Sequence, residues 1–354
     1  MKIAQIAPLH EAVPPRFYGG TERLVAHLTD ALVEQGHQVT LFSSADARTK
    51  ATLVATRAQA LRLDPAPLKS DLASHLSLLH EARQRAGEFD VLHFHVDMLH
   101  FPLFETLASR TLTTLHGRLD IAELADVYRR WKEYPLVSIS DHQRKPMSDA
   151  NWLGTVHHGV AADRYRFSGE PHGDYLAFLG RMSPEKRPDR AIAIAQEAGV
   201  PIRLAAKVEN IDRGYFEREI GPLLKSPLVE FLGEISDSQK SEFLGNARAL
   251  LCPLAWPEPF GLGMIEAMAC GTPVIAWRCG AVPEIVEHGR TGFIVDTIDE
   301  GVAAVEAARH LSRLEVRAQF ERRFTAHAMA RRYVRLYWQL SGAERAVELD
   351  GEAA

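Results

Sequence analysis

Cysteine is scarce. The 354 residues hold three, Cys252, Cys270 and Cys279, all in one late segment and in no CxxC pair. That pattern excludes a disulfide framework and the common zinc spacings, and it is expected of reduced thiols in the cytoplasm. Long apolar runs are also missing. No stretch reaches the roughly 18 residues of a spanning helix, and the opening MKIAQIAPL has one Lys and no small-residue cleavage site, so neither leader nor membrane span is expected. Positive charge is in deficit, with 41 Lys plus Arg against 46 Asp plus Glu. No basic field exists to gather nucleic acid. Solenoid repeats are absent, and low complexity is confined to the tail GEAA.

What is present is an ordinary globular balance, 46% hydrophobic and 25% charged, in a chain long enough for two domains. Residues 2 to 8 read as a buried strand. Gly19 to Gln35 carries Leu24, Val25, Leu28, Leu32 and Val33 at helical spacing, and QVTLFS follows as a second strand. Parallel pairing of those strands needs the helix between them as a cover. Short strands follow at Val91 to His95, Thr111 to Leu115, Leu136 to Ile139 and Thr155 to His157. The stretch AADRYRFSGEPHG then turns polar and ends the first domain, which is set at 1–165 with a linker at 166–172. A second strand and helix alternation fills 173–325, with strands at 175–179, 202–206, 229–232, 249–253, 274–277 and 293–295. The helices between and after them are expected at 188–198, 212–225, 238–246, 263–270 and 299–310. Within the last segment, 326–354, the stripe of Met329, Tyr333, Leu336, Tyr337 and Leu340 predicts a helix returning to the first domain. The fold class is therefore α/β, with two doubly wound parallel sheets facing across a cleft, and ligands are expected beyond the carboxyl ends of the strands.

Chemistry concentrates on strand-to-helix loops. In PEPFGLGMIEAMACGTPV, Glu258 precedes a glycine-flanked helix start and Glu266 lies eight positions on, inside that helix. Gly261 and Gly263 let backbone approach a ligand at a helix N-terminus, whose free N–H groups suit a phosphate. Glu266 is placed to accept from ribose hydroxyls and Glu258 from a sugar hydroxyl. Arg181 and Lys186, in GRMSPEK, put two cations on the loop after the second domain's first strand. Gly19 and Gly20 open the first helix, but the loop HEAVPPRFYGGTE has no GxGxxG and is no dehydrogenase fingerprint. His116 follows an apolar strand and faces the cleft. His95 and Asp97 end the preceding strand and are candidates to line an acceptor pocket. With His93 and His100 they cluster in sequence, yet no HExxH or Cys/His spacing occurs and no metal is expected. VYRRWKEY mixes cations and aromatics and reads as a solvated helix, leaving at most peripheral membrane contact.

These segments together resemble the retaining family 4 glycosyltransferases of the GT-B fold. The Glu258 to Glu266 segment resembles that family's Glu-x7-Glu motif. YGGTERLVAHLTDALVEQGHQVTL resembles its opening loop and helix, HHGV its strand-to-linker signature, GRMSPEK its phosphate loop and AVPEIVEHGRTGF its next cleft loop. One departure is Arg187, where the family usually has Gly. The resemblance implies transfer of a hexose from a nucleotide diphosphate sugar, UDP-glucose by the family's habit, to a sugar, lipid or small-molecule acceptor with retention and without a metal or other cofactor. It implies a catalytic set of His116, Glu258, Arg181 and Lys186. Donor binding would fall to Gly19, Gly20, Arg181, Lys186, Glu258, Phe260, Gly261, Leu262 and Glu266, with His116 near the anomeric carbon. An epimerase on the same fold and a non-catalytic carbohydrate-binding protein remain as alternatives.

Overall fold

The computed structural model describes residues 1–16 and 19–341, so Tyr18 of the opening loop and the tail ending in GEAA lie outside the described residues. The first sheet has seven parallel strands: β1 (Lys2–Ile6), β2 (Gln38–Ser43), β3 (Thr52–Ala55), β4 (Val91–Phe94), β5 (Thr111–Thr114), β6 (Leu136–Ser138) and β7 (Trp152–Thr155). Their order is β3-β2-β1-β4-β5-β6-β7. The second has six: β8 (Leu176–Arg181), β9 (Ile202–Lys207), β10 (Val229–Gly233), β11 (Leu250–Cys252), β12 (Val274–Trp277) and β13 (Gly292–Val295), in the order β10-β9-β8-β11-β12-β13. β1 sits at the centre of its sheet, Ile3 pairing with Val39 on one side and Val91 on the other, which is why four of its five residues are buried. Parallel strands demand crossovers, and the crossover helices cover both faces of each sheet.

Sequence and structure part company at a few elements. The strand expected at Thr155 to His157 lies earlier, because Trp152 packs on the core and donates Nε1–H to Met147 O at 2.7 Å, while His157 turns away to Glu284. The helix expected over 212–225 breaks into short turns around Gly221 and Pro222, the proline having no N–H to continue it. β3 and the helix Asp71–Gln84 were not singled out from sequence. β3 is a short, half-exposed edge strand, and the helix turns Leu72 and Leu76 to solvent, which blurs its apolar stripe. In the VYRRWKEY segment Tyr128 and Tyr134 are core residues, whereas Arg129, Arg130 and Lys132 are exposed.

The chain crosses between the sheets at two adjacent points. Val160 N–H donates to Phe324 O and Ala326 N–H to Val160 O, both at 2.9 Å, forming a parallel bridge. The residues expected as linker, 166–172, run along the flank of the second sheet, Arg166 N–H meeting Ser241 Oγ at 2.7 Å. After the second crossing the terminal helix (Ala326–Leu340) buries Met329, Tyr333 and Tyr337 against the first sheet and the first helix (Gly20–Glu34). Among the described residues no helix is long and apolar enough to cross a membrane.

The crossing explains one glycine of HHGV. A Cβ on Gly159 would stand 2.2 Å from Thr325 O, a backbone atom that cannot yield without opening the bridge. Gly159→Ala should therefore destabilise by about 1–3 kcal/mol, the usual range for overpacking. Urea denaturation checks this, and unchanged stability would show that the two crossings are free to separate.

Candidate active site

Strand order locates the site before any side chain is considered. In each sheet the order reverses beside the first strand, between β1 and β4 and between β8 and β11, and parallel sheets leave a crevice at such points beyond the carboxyl ends. The loops after β1, β8 and β11 converge there from the two domains on a cavity of about 490 Å³. Gly19, Gly20, His116, Arg181, Lys186, Glu258, Phe260, Gly261, Leu262 and Glu266 all line it. Another concavity, of about 400 Å³ around Tyr175, Ile202 and Glu230, lies at the amino ends of β8 to β10, away from both switch points.

Arg181 is the last residue of β8, and the turn after it runs to the helix Pro188–Glu197. Arg187 holds a left-handed backbone, φ 52°, which glycine adopts without strain and which accounts for the family's usual residue there. Arginine is kept in place by Asp189, whose Oδ1 accepts from Arg187 Nε at 2.9 Å and from Tyr215 OH at 2.9 Å. The loop thus keeps its shape without the glycine. Arg181 pairs with Glu185 at 3.0 Å, and Lys186 meets the Glu258 carboxylate. Trp256 donates Nε1–H to that carboxylate at 3.0 Å, and its ring lies 5.5 Å from Lys186 Nζ. Two loops far apart in sequence are therefore joined in the lining of the cavity by a cation, a carboxylate and an indole.

Gly261, φ 97°, caps the helix Leu262–Ala269, and a Cβ there would meet Met264 Cε at 2.4 Å. The first N–H groups of the helix have no intrahelical partner, and Gly261, Leu262 and Gly263 line the cavity. One helical turn on, Glu266 is nearly fully buried, accepting from Tyr165 OH at 2.7 Å and Lys240 Nζ at 2.9 Å. Burial alone would raise its pKa, but the charges of Lys240 and Arg23 and these hydrogen bonds outweigh it and hold the carboxyl below its ordinary value. Glu266 is a fixed acceptor. None of its three partners was picked out from sequence, since each is a lone residue on a separate segment.

On the opposite wall, His116 donates or accepts at Nε2 with His95 Nδ1, 2.9 Å away, and burial pushes its pKa down to about 3. His95 does not line the cavity. It is buried behind His116 and also meets Gln5 Oε1 at 2.8 Å. Asp97 lies off the cavity as well, exposed at the start of a turn. His93 bonds Tyr337 and Thr114, and His100 stacks on Phe94, so these imidazoles serve the sheet and the terminal helix. A different trio, His10, Asp71 and His75, has metal-like proximity. There Leu9 N–H donates to His75 Nε2 at 3.1 Å, which leaves the proton on Nδ1, and that Nδ1–H faces Asp71 at 2.6 Å. The trio is a hydrogen-bonded pair with a neighbour and not a ligand set.

Comparison with known proteins gives the chain's relatives. The family model described as "Glycosyl transferases group 1" matches residues 164–326, and that described as "Glycosyltransferase Family 4" matches residues 18–146. A phosphatidyl-myo-inositol mannosyltransferase of Mycobacterium leprae is 27% identical over 332 residues, covering 86% of this chain and 86% of that protein. A D-inositol 3-phosphate glycosyltransferase of Mycobacterium sp. (strain KMS) is 31% identical over 177 residues, 44% of this chain and 38% of that protein. Among solved structures, AviGT4, a glycosyltransferase involved in avilamycin A biosynthesis, superposes with a TM-score of 0.75 at 25% identity, covering 96% of this chain and 98% of that one.

The left-handed turn supplies a test of the loop. At position 187 the Gly variant should be more stable than the Ala variant by about 1 kcal/mol, the reverse of the order in a helix interior. Chemical denaturation of Arg187→Gly beside Arg187→Ala measures it, and Ala equal to or above Gly would show that the turn relaxes.

Proposed function

Because the chain belongs to the family 4 glycosyltransferases of the GT-B fold, and so is a glycosyltransferase acting with a nucleotide sugar, we propose that it transfers a hexose from a nucleoside diphosphate hexose with retention of anomeric configuration. The donor is of the UDP-glucose type, with a mannosyl donor as the second to test because one relative is named a mannosyltransferase. Both curated relatives are named for inositol compounds, which supports a hydroxyl-rich ring as acceptor. Three free thiols support a reducing compartment, the cytoplasm.

The observation that carries the mechanism is the commitment of both groups at the sugar end. His116 is neutral, far too weak a base near pH 7, and is already bonded to His95. Glu258 accepts from Trp256 Nε1–H, a bond that remains when Lys186 turns to the diphosphate, and its other oxygen is taken up by the sugar hydroxyl. Inversion needs a general base on the acceptor's side, and double displacement needs a free carboxylate beneath the anomeric carbon. Neither group is available in that sense. Front-face attack needs neither: the acceptor oxygen bonds to the anomeric carbon as the bond to the diphosphate breaks, and the leaving diphosphate takes the acceptor's proton. Arg181, Lys186 and the helix N-terminus at Gly261 stabilise the developing charge, which is work a metal would otherwise do. Glu266 holds the ribose and Glu258 a sugar hydroxyl, with Phe260 and Leu262 flanking the backbone that positions them. Gly19 and Gly20 approach from the first domain.

Replacing Arg181 and Lys186 together by Ala should weaken UDP binding by at least about 2 kcal/mol, roughly thirtyfold, since each charged hydrogen bond is worth on the order of 1.5–3 kcal/mol and part is spent in releasing the carboxylates. Isothermal calorimetry reads this, and unchanged affinity rejects the diphosphate assignment. Early product formed from an α-linked donor in EDTA should show an α anomeric signal in proton NMR. A β-glycoside would overturn retention, and loss of transfer restored by magnesium would overturn the metal-free charge accounting.

A further inference from the structure

Behind His116 runs a chain of buried polar groups. Gln5, fully buried in β1, has Nε2 3.0 Å from the Tyr337 hydroxyl and 3.3 Å from His93 Nδ1, while its Oε1 is 2.8 Å from His95 Nε2. The amide end with two neighbours is the NH2, because it has two protons to place and a buried unplaced N–H is costly. Proton directions then follow bond by bond. Gln5 Oε1 accepts from His95 Nε2–H, so His95 Nδ1 is bare and accepts from His116 Nε2–H at 2.9 Å. His116 Nδ1 is left as a lone pair, buried and with no hydrogen-bond partner among the described residues. At the other end Gln5 Nε2–H donates to the Tyr337 hydroxyl, and that hydroxyl donates to His93 Nδ1 at 2.8 Å, the longer Gln5 contact sharing the same lone pair, while His93 Nε2–H donates to Thr114 Oγ1 at 2.8 Å. The reverse order would strand one Gln5 N–H and the His116 Nδ1–H together. Burial lowers the pKa of His93, His95 and His116, so no ring carries a second proton that would scramble the order.

We propose that Gln5 is a positioning residue for sugar transfer: acting through His95, it holds His116, a residue of the cavity wall, as the neutral Nε2–H tautomer, so that the buried Nδ1 of that ring is a bare acceptor and not an N–H donor. The functional half rests on the reading of the cleft given above. The terminal helix takes part through Tyr337, which faces the amide end that donates.

Proton–nitrogen correlation NMR of the ligand-free full-length protein, with isotope-labelled histidine and His116→Asn for assignment, reads the tautomer directly. His116 should show a protonated Nε2 and an unprotonated Nδ1, and a protonated Nδ1 overturns the proposal. Gln5→Met keeps the length and removes both polar ends. It should give mixed His116 tautomers and lower kcat roughly tenfold to hundredfold, as misplacing a contacting group does, with Kd for UDP and KM for the donor within about twofold. A folded Gln5→Met enzyme with the wild-type His116 spectrum or unchanged kcat also overturns it. Because the spectrum needs no substrate, a wild-type protein with the assigned tautomer but no turnover of any nucleotide sugar would overturn the functional half and the reading of the cleft, and not the tautomer.

Discussion

Two backbone hydrogen bonds between Val160 and the segment around Thr325 join the points where the chain passes from one sheet to the other, and the placement of the cleft residues depends on that tie. Further contacts set how the sheets face each other. Glu284 of the second domain accepts from the N–H groups of Asp141 and His142, both at 2.8 Å, and from His157 Nε2 at 3.0 Å. Burial would raise its pKa, but the hydrogen bonds from His157 and the two N–H groups outweigh it and keep the carboxyl below its ordinary value. Ser140 Oγ donates to Pro259 O at 2.7 Å, which ties the first domain to the loop that carries Glu258. Bonds made outside the cleft therefore help to set how its two walls face each other.

The cleft holds its charges in pairs. Lys186 rests on Glu258, Arg181 on Glu185, and Lys240 on Glu266. Cations withdrawn from water without partners would cost several kcal/mol each, and the carboxylates offset that cost until an anion arrives. Under the proposed function a diphosphate would exchange partners with Arg181 and Lys186 and would not enter an unbalanced field. Glu266 differs in being buried with Tyr165, Lys240 and Arg23 around it, so its orientation is set before any hydroxyl is presented. One carboxylate is preorganised and the other is paired with a cation, a division of labour that fits the proposed binding of a ribose and stabilisation of a leaving group.

The terminal helix connects stability to the site. Its apolar stripe would seat on many surfaces, but Tyr333 and Tyr337 carry hydroxyls that must find partners in a dry interface, and Thr114, His93 and Gln5 provide them. A shifted helix would leave several buried polar groups unsatisfied. The same groups reach His116 through His95, so the seating of the chain's last described helix bears on the wall of the cavity.

Local pattern made much of this legible in the sequence. Strand and helix periodicity, with glycine-flanked loops at strand ends, carried the two-sheet α/β architecture, because a parallel strand must be short, apolar and followed by a covering helix. Residues adjacent in sequence to those loops, such as Arg181, Lys186, Glu258, Gly261 and Glu266, could be named because chemistry in this architecture sits on carboxyl-end loops. The fold alone decided what depends on long-range pairing. Asp97 and His95 ended a strand as promisingly as His116 ended the next, yet Asp97 begins an exposed turn off the cavity, and His95 is buried behind His116, where it bonds Gln5 and His116. Gln5, Tyr165, Arg23, Lys240 and Glu284 showed no local signal, since each matters through a partner dozens to hundreds of residues away. Hydrophobic spacing records which face of an element is buried, but it does not record which polar group waits on the other side.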